Sequence, residues 1–329
     1  MSGSAPAFMH RACLYGSDEQ FLAMAMPFLD EGLSAGEPVL AVTTPANLEL
    51  INTALGARGG NVDYAESAFF GRRPAQRVAA FHRYWKRHSP AGHPAQVRIV
   101  AEPVWAGRSS REIAAWTRME AALNVALAPT TISMICPYDR RIVPPAILAN
   151  AGSTHPEQVD GARSRPSPEY SDPAAFAAAC DASPLPDPPA SAAELQFTGD
   201  LRGLRRFVAR RAAAHGLTSD RVSMLVYAAG EVATYVKNQP PGSATVRVWE
   251  QPGAVVCDIR QMRASSDRDP FLGLRPAELK PEPGDGLWLA GQICDWTEIR
   301  STDESSVIRL QVASRHNEEM AQPGIRYPI

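Results

Sequence analysis

The stretch Val97-Arg98-Ile99-Val100-Ala101-Glu102-Pro103-Val104-Trp105-Ala106-Gly107-Arg108 decides the fold of the first half of the chain. Its opening run is short and almost wholly apolar, and it stops at a Glu-Pro step that cannot continue a ladder. That is the pattern of a strand covered on both faces. Similar runs lie at Ala12 to Tyr15, Pro38 to Thr43 and Thr131 to Cys136, with a weaker one near Val62. Segments of helical period separate them, at Ser17 to Leu33, Pro45 to Leu55, Ala75 to Arg87, Arg111 to Leu127 and Pro144 to Asn150. Ser17-Asp18-Glu19-Gln20 reads as a capping box, with Phe21, Met24, Phe28 and Leu29 forming one apolar face behind it. Strand and helix in alternation predict a parallel sheet with helices on its faces.

The chain has 329 residues, 45% hydrophobic and 21% charged, with a net charge of -2. The length suits two domains, the composition excludes a disordered or fibrous chain, and the charge gives no global attraction to nucleic acid or anionic membranes. No direct DNA contact and no membrane association are expected. The five cysteines are scattered and contain no CxxC pair, which supports neither a disulfide framework nor a thiolate zinc site. No apolar run is long enough for a transmembrane helix, and the N-terminus lacks a secretion signal, so a cytoplasmic location is expected.

From His155 to about Ala193 the composition shifts to Pro, Ser, Ala and Asp, ending in SPLPDPPASAAE, and reads as a linker. A second folded unit begins near Leu195. Two amphipathic helices, Leu201 to His215 and Ser219 to Lys237, precede strand-like runs at Ala244 to Glu250 and Ala254 to Arg260. A helix at Leu287 to Asp295 and strands at Thr297 to Ser301 and Val307 to Val312 follow, giving an α+β two-layer sandwich. The expected division is 8–160, a linker over 161–193, a second domain over 194–314 and a polar tail over 315–329.

The loop after the first strand, Tyr15-Gly16-Ser17-Asp18-Glu19, has neither GxxxxGK[ST] nor GxGxxG, and its two carboxylates would repel a phosphate. Glu102 and Asp139 each fall at a strand's carboxyl end, where α/β proteins place ligands. They read either as an acid and base pair of a small-molecule enzyme or as loop caps paired with Arg108 or Arg140. Trp105 and Tyr138, beside them in sequence, complete a candidate pocket, although Trp105 could equally cover the sheet. His88, His93 and His155 have no ligand-like neighbours in sequence and read as surface residues. Arg202, Arg205, Arg206, Arg210 and Arg211 form a solvated helix face or a surface for an acidic partner or a phosphate backbone.

Several separated motifs carry a resemblance. Cys13-Leu14-Tyr15, Asp18-Glu19-Gln20-Phe21, Pro27-Phe28-Leu29-Asp30-Glu31-Gly32-Leu33, Gly36-Glu37-Pro38-Val39, Glu102-Pro103-Val104-Trp105 and Cys136-Pro137-Tyr138-Asp139 together resemble the MEDS sensory domain. The resemblance implies a RecA-like α/β fold used as a sensor of an unidentified small ligand, with Glu102, Trp105, Tyr138 and Asp139 around it.

The second unit resembles the RsbW-like anti-sigma regulatory factors of the GHKL ATPase superfamily, with the Bergerat fold, through Gly230-Glu231-Val232-Ala233-Thr234 and Gly284-Asp285-Gly286-Leu287-Trp288-Leu289-Ala290. A MEDS domain fused to such a unit resembles the RsbA family. In that superfamily a Glu is followed four residues later by an Asn that holds Mg²⁺. Here Glu231 is followed by Tyr235, which has no amide carbonyl. Gln261 stands where an adenine-binding Asp is usual, and Arg263 stands at a Gly position. Gly284 and Gly286, before Leu287, could still cradle phosphate, but with the other two motifs altered they read first as a tight loop packed beneath the Leu287, Leu289 and Ile293 helix.

The resemblance thus implies a signalling protein that acts by binding a sigma factor or an anti-anti-sigma protein, without cofactor and with a homodimer as one arrangement. The alternative is an active serine kinase using ATP, Mg²⁺ and Glu231.

Overall fold

The computed structural model describes residues 7–89, 95–262, 269–276, 285–302 and 304–314. It divides into two compact units, with the boundary between Ala177 and Ala178.

The first unit runs β1 (Met9–Tyr15), α1 (Asp18–Ser34), β2 (Val39–Thr43), α2 (Pro45–Leu55), a 3-10 turn (Gly56–Asn61), β3 (Asp63–Glu66), α3 (Pro74–His88), β4 (Val97–Ala101), α4 (Ser110–Ala126), β5 (Ile132–Asp139), α5 (Pro145–Thr154), β6 (Glu157–Asp160) and β7 (Arg163–Pro166), and α6 (Pro173–Asp181) crosses the boundary. The sheet order is β3-β2-β4-β5-β1-β6-β7, parallel except for the last pair. Every residue of β2, β4 and β5 is buried, which explains their unbroken apolar runs.

Period-two alternation sends side chains to two cores. Cys13, Tyr15, Ala41, Val100 and Ile135 pack under α1 and α2 with Phe21, Leu29 and Ile51. Ala12, Val42, Ile99, Cys136 and Tyr138 pack with Val78, Trp116, Met119 and Ile147 of α3, α4 and α5. Full burial of each such aliphatic or aromatic side chain contributes roughly 1.5–3 kcal/mol. Arg98 breaks the apolar run of β4. Its guanidinium bonds Glu31 at 2.7 Å and Glu37 at 2.5 Å, and Gly32 leaves room for it, since a Cβ there would stand 2.5 Å from Arg98 Cδ.

Helix α1 is capped as its sequence predicts on one side only. Ser17 Oγ accepts from the Gln20 backbone N–H, but the Gln20 side chain accepts from Gly16 rather than Ser17. The full reciprocal box occurs at α4, between Ser109 and Glu112.

The second unit contains β8 (Ala193–Phe197), α7 (Leu201–Ala214), α8 (Ser219–Lys237), β9 (Ala244–Gln251), β10 (Ala254–Met262), α9 (Asp285–Ile293), β11 (Trp296–Ser301) and β12 (Ser305–Ala313). Its sheet is antiparallel throughout, in the order β11-β12-β10-β9-β8. One face packs on the helices through Val246, Val248, Cys257, Ile259, Leu310, Leu225, Ala229 and Leu287. The other face buries an ion pair: Arg309 meets Asp258 through two bonds of 2.6 and 2.7 Å, and Arg309 also donates to the Pro186 carbonyl at 2.8 Å.

The segment read as a linker is more structured than its composition suggests. Residues 163–166 pair with β6, Pro173–Asp181 is helical, Pro186 touches Arg309, and Arg300 meets Asp181 at 3.3 Å. Proline removes backbone donors, but its carbonyl still accepts from a buried arginine. Strand β8 is a further difference, its Glu194 and Gln196 facing solvent between half-buried neighbours. The tail read as polar and frayed lies outside the described residues.

Candidate functional site

Four strand ends converge on the α1–α2 side of the first sheet. Tyr15 ends β1, Thr43 ends β2, Glu102 follows β4 and Asp139 ends β5. Their equal parity puts all four side chains on one face. There a cavity of about 740 Å³ opens, with Tyr15, Glu102, Asp139 and Asn47 at its base and Leu22, Ala46, Leu50, Ala54 and Ile142 as apolar walls. The size and the mix of apolar walls with few polar groups suit a small organic ligand.

Glu102 is 4% exposed, and its carboxylate accepts from Tyr15 Oη at 2.8 Å, from Asn47 Nδ2 at 2.8 Å and from Thr43 Oγ1. Asn47 Nδ2 also reaches Tyr15 Oη at 2.9 Å. Among the described residues these donors are all neutral. Beneath, the Glu102 backbone carbonyl accepts from Ser67 Oγ and from Arg77 at 3.1 Å. Burial, with the Glu102 charge behind it, raises the Tyr15 hydroxyl well above its ordinary value, so it stays protonated as a donor.

The rim is charged and paired. Arg141 bonds Asp139 at 2.8 Å and Asp18 at 3.1 Å. Burial alone would raise the Asp139 carboxyl, but the Arg141 guanidinium and backbone N–H outweigh it and hold it below the usual range.

Of the four residues expected at the pocket, the structure brings Glu102 and Asp139 to it and sends the other two elsewhere. Tyr138, one residue from Asp139, points to the opposite face by strand alternation, and Trp105 packs there too, their rings 6.3 Å apart. The expected pairings with Arg108 and Arg140 do not form. Arg141 takes Asp139, while Arg108 stacks on Trp116 at 3.9 Å and donates to the Val104 carbonyl. Tyr15, Thr43, Asn47 and Arg141 escape sequence reasoning; only the Asp139-Arg140-Arg141 spacing hinted at the last.

On the opposite face a second polar group is fully enclosed. His10 of β1, Glu120 of α4, Cys136 of β5 and His155 after α5 place one side-chain N, O or S atom each within 4.8 Å of one another. This corrects the surface reading of His155, which is 0% exposed. A Pro after His155 suggested a loop, but the chain there runs under Tyr138, whose ring lies edge-on at 5.8 Å. Burial pushes both imidazoles down to about 3, His155 being further lowered by His10, and it raises the Glu120 carboxyl and the Cys136 thiol. Of the other histidines read as surface residues, His88 is half-buried and His93 lies outside the described residues.

In the second unit, the Gln261 amide donates to the carbonyls of Gln239 at 3.1 Å and Pro240 at 3.2 Å. Glu231 lies against α9, where a Cβ on Gly286 would stand 2.6 Å from its Oε2. Tyr235 packs against the core and Leu287 is within it. Gly284 and Arg263 lie outside the described residues. Arg202, Arg205, Arg206, Arg210 and Arg211 are all exposed, as the solvated-face reading expects.

The first unit is a mostly parallel α/β fold with a cavity at its strand ends. The family model described as MEDS, MEthanogen/methylotroph, DcmR Sensory domain, matches residues 9–156, so a MEDS domain is found over this stretch, a little under half of the chain. No curated protein matches the chain. No helix among the described residues is long and apolar enough to cross a membrane.

Proposed function

We propose that the protein is a cytoplasmic regulator in which the MEDS domain senses a small ligand and the second unit acts as an anti-sigma-type, nucleotide-deficient binding module. The MEDS match carries the sensory half of this reading. The ligand enters between α1 and α2, and a donor group on it reaches Glu102, whose carboxylate has lone pairs left beyond its three neutral donors. The Asp18, Glu102 and Asp139 carboxylates disfavour phosphates and favour neutral or cationic polar molecules.

For the second unit, a strand and two helices followed by the remaining strands of an antiparallel sheet are compatible with the GHKL-like resemblance. The engagement of Gln261 with backbone carbonyls and the half-buried Tyr235 side chain packed against the core support loss of nucleotide binding. A sigma factor or an anti-anti-sigma protein is the proposed partner, met through exposed surface such as the arginine face of α7.

Calorimetric titration of the full chain with ATP, with and without Mg²⁺, tests the output half. No heat of binding is expected; micromolar Mg²⁺-dependent binding would instead support the serine kinase with Glu231 at its centre. A thermal-shift screen of small polar organics tests the sensory half. At least one compound should stabilise the wild type and fail to stabilise Glu102→Gln.

A further inference from the structure

Both histidines of the enclosed group are held in one tautomer. Asn124 donates its amide N–H₂ to the carbonyls of Thr154 at 2.7 Å and Ala121 at 3.3 Å, so its Oδ1 is the atom that faces His10 Nδ1 at 3.1 Å. An oxygen that only accepts requires the proton on His10 Nδ1, which leaves Nε2 with a bare lone pair. His155 Nδ1 faces the Ala151 carbonyl at 2.9 Å, so its Nε2 is bare as well. Each ring is thereby oriented by an outer hydrogen bond, the arrangement that fixes metal-ligating imidazoles.

The bare atoms point at one another. His10 Nε2 is 3.5 Å from Glu120 Oε2 and accepts from the Cys136 thiol at 3.4 Å, a proton a metal ion would displace, and His155 Nε2 is 3.7 Å from Glu120 Oε2. Glu120 Oε2 and His155 Nε2 have no hydrogen-bond partner although both are fully buried. A proton shared between them would need a shorter contact, because hydrogen bonds of this kind close at about 2.5–3.2 Å. The cost of leaving such atoms unsatisfied is about 1–3 kcal/mol each. The three separations of 3.4, 3.5 and 3.7 Å lie close to the edges of a coordination tetrahedron, which metal–N and metal–O bonds near ~2.0 Å and metal–S bonds near ~2.3 Å set at roughly 3.3–3.6 Å, and all four atoms fall within 4.8 Å, so a small inward shift would complete it.

We infer that His10, Glu120, Cys136 and His155 form a four-ligand site for a divalent transition ion of the zinc class, buried on the face of the MEDS sheet opposite the ligand pocket. Two imidazoles, one carboxylate and one thiolate are the donor set that suits zinc(II) and its tetrahedral geometry. One thiolate and one carboxylate also balance the charge of a divalent ion, so the enclosed site would be neutral overall. The four ligands come from β1, α4, β5 and the chain after α5, and all lie within the matched residues 9–156. The ion would therefore clamp two adjacent strands to two helices. With four protein ligands it is a closed, structural site rather than a catalytic one.

Cobalt(II) added to the chelator-treated full chain tests the inference. One equivalent is expected to bind, with the visible bands of tetrahedral cobalt and a near-ultraviolet thiolate charge-transfer band, both displaced by zinc. Cys136→Ser should lose the charge-transfer band, while Cys13→Ser, whose thiol is buried on the other face, keeps it. Should Cys136→Ser be too unstable to purify, Asn124→Ala serves in its place and is expected to weaken zinc binding roughly 10–100-fold by releasing His10. Absence of the cobalt spectrum in the wild type, a charge-transfer band that survives Cys136→Ser, or zinc affinity unchanged in Asn124→Ala would each overturn the site.

Discussion

At the strand ends of the parallel sheet, Glu102 is buried among neutral hydroxyl and amide donors, and on the other face His10, His155 and Glu120 confront each other with lone pairs. In the antiparallel sheet, Asp258 is equally buried but sits directly across from Arg309, which grips it with two bonds. The middle of the parallel sheet follows the second pattern, with Arg98 held by Glu31 and Glu37. These two pairs carry their counter-charge with them, buried Arg77 is held by neutral acceptors alone, and the two sites proposed to bind something each hold a buried carboxylate with no arginine bonded to it among the described residues.

The comparison breaks most visibly at the ion pair. Arg309→Ala strands a buried carboxylate and should cost about 3–5 kcal/mol, whereas the Asp258→Leu, Arg309→Met double variant should recover most of it. Urea unfolding of the full chain reads both, and a single-variant cost under about 1 kcal/mol would remove the distinction between paired and unpaired charge. Glu102→Gln has the smaller structural effect, about 1–2 kcal/mol in the same assay, because Tyr15 and Thr43 can rotate their hydroxyls to serve the new amide. Its ligand-induced thermal shift should vanish. Filling the pocket by Ala54→Trp should abolish the same shift with a stability change within about 0.5 kcal/mol, since Ala54 is exposed. If the shift survives, the ligand binds elsewhere. Tyr235→Asn marks the zero of the scale: with Gln261 still donating to Gln239 and Pro240, calorimetry should detect no gain of ATP binding.

Much of the architecture is legible from the sequence because its signals are local. The strand at Val97–Ala101 is the apolar run that burial on both faces demands, and α8 occupies Ser219–Lys237 as its periodicity predicts. Polar edge strands are not legible in this way. Strands β6 and β7 have half-buried or exposed residues at every position, so no hydrophobic pattern marks them. Strand β1 begins three residues before its apolar run because His10 and Arg11 interrupt the signal.

The site divides along the same line. Glu102 and Asp139 could be found because each ends a recognisable strand. Trp105 and Tyr138 were grouped with them by sequence proximity, which strand alternation overrides. The enclosed group was invisible for a related reason: His10, Glu120, Cys136 and His155 have no motif spacing, and only the insertion of β1 beside β5 brings the first to the third.

The outermost strand of the parallel sheet has a bearing on self-association. All four residues of β7 are exposed, and they read Arg-Ser-Arg-Pro. A second copy adding its own β7 across a twofold axis would bring arginines against arginines and meet a proline with no N–H to give. That edge is chemically capped against extension, so a second copy is not expected to lengthen the parallel sheet at β7.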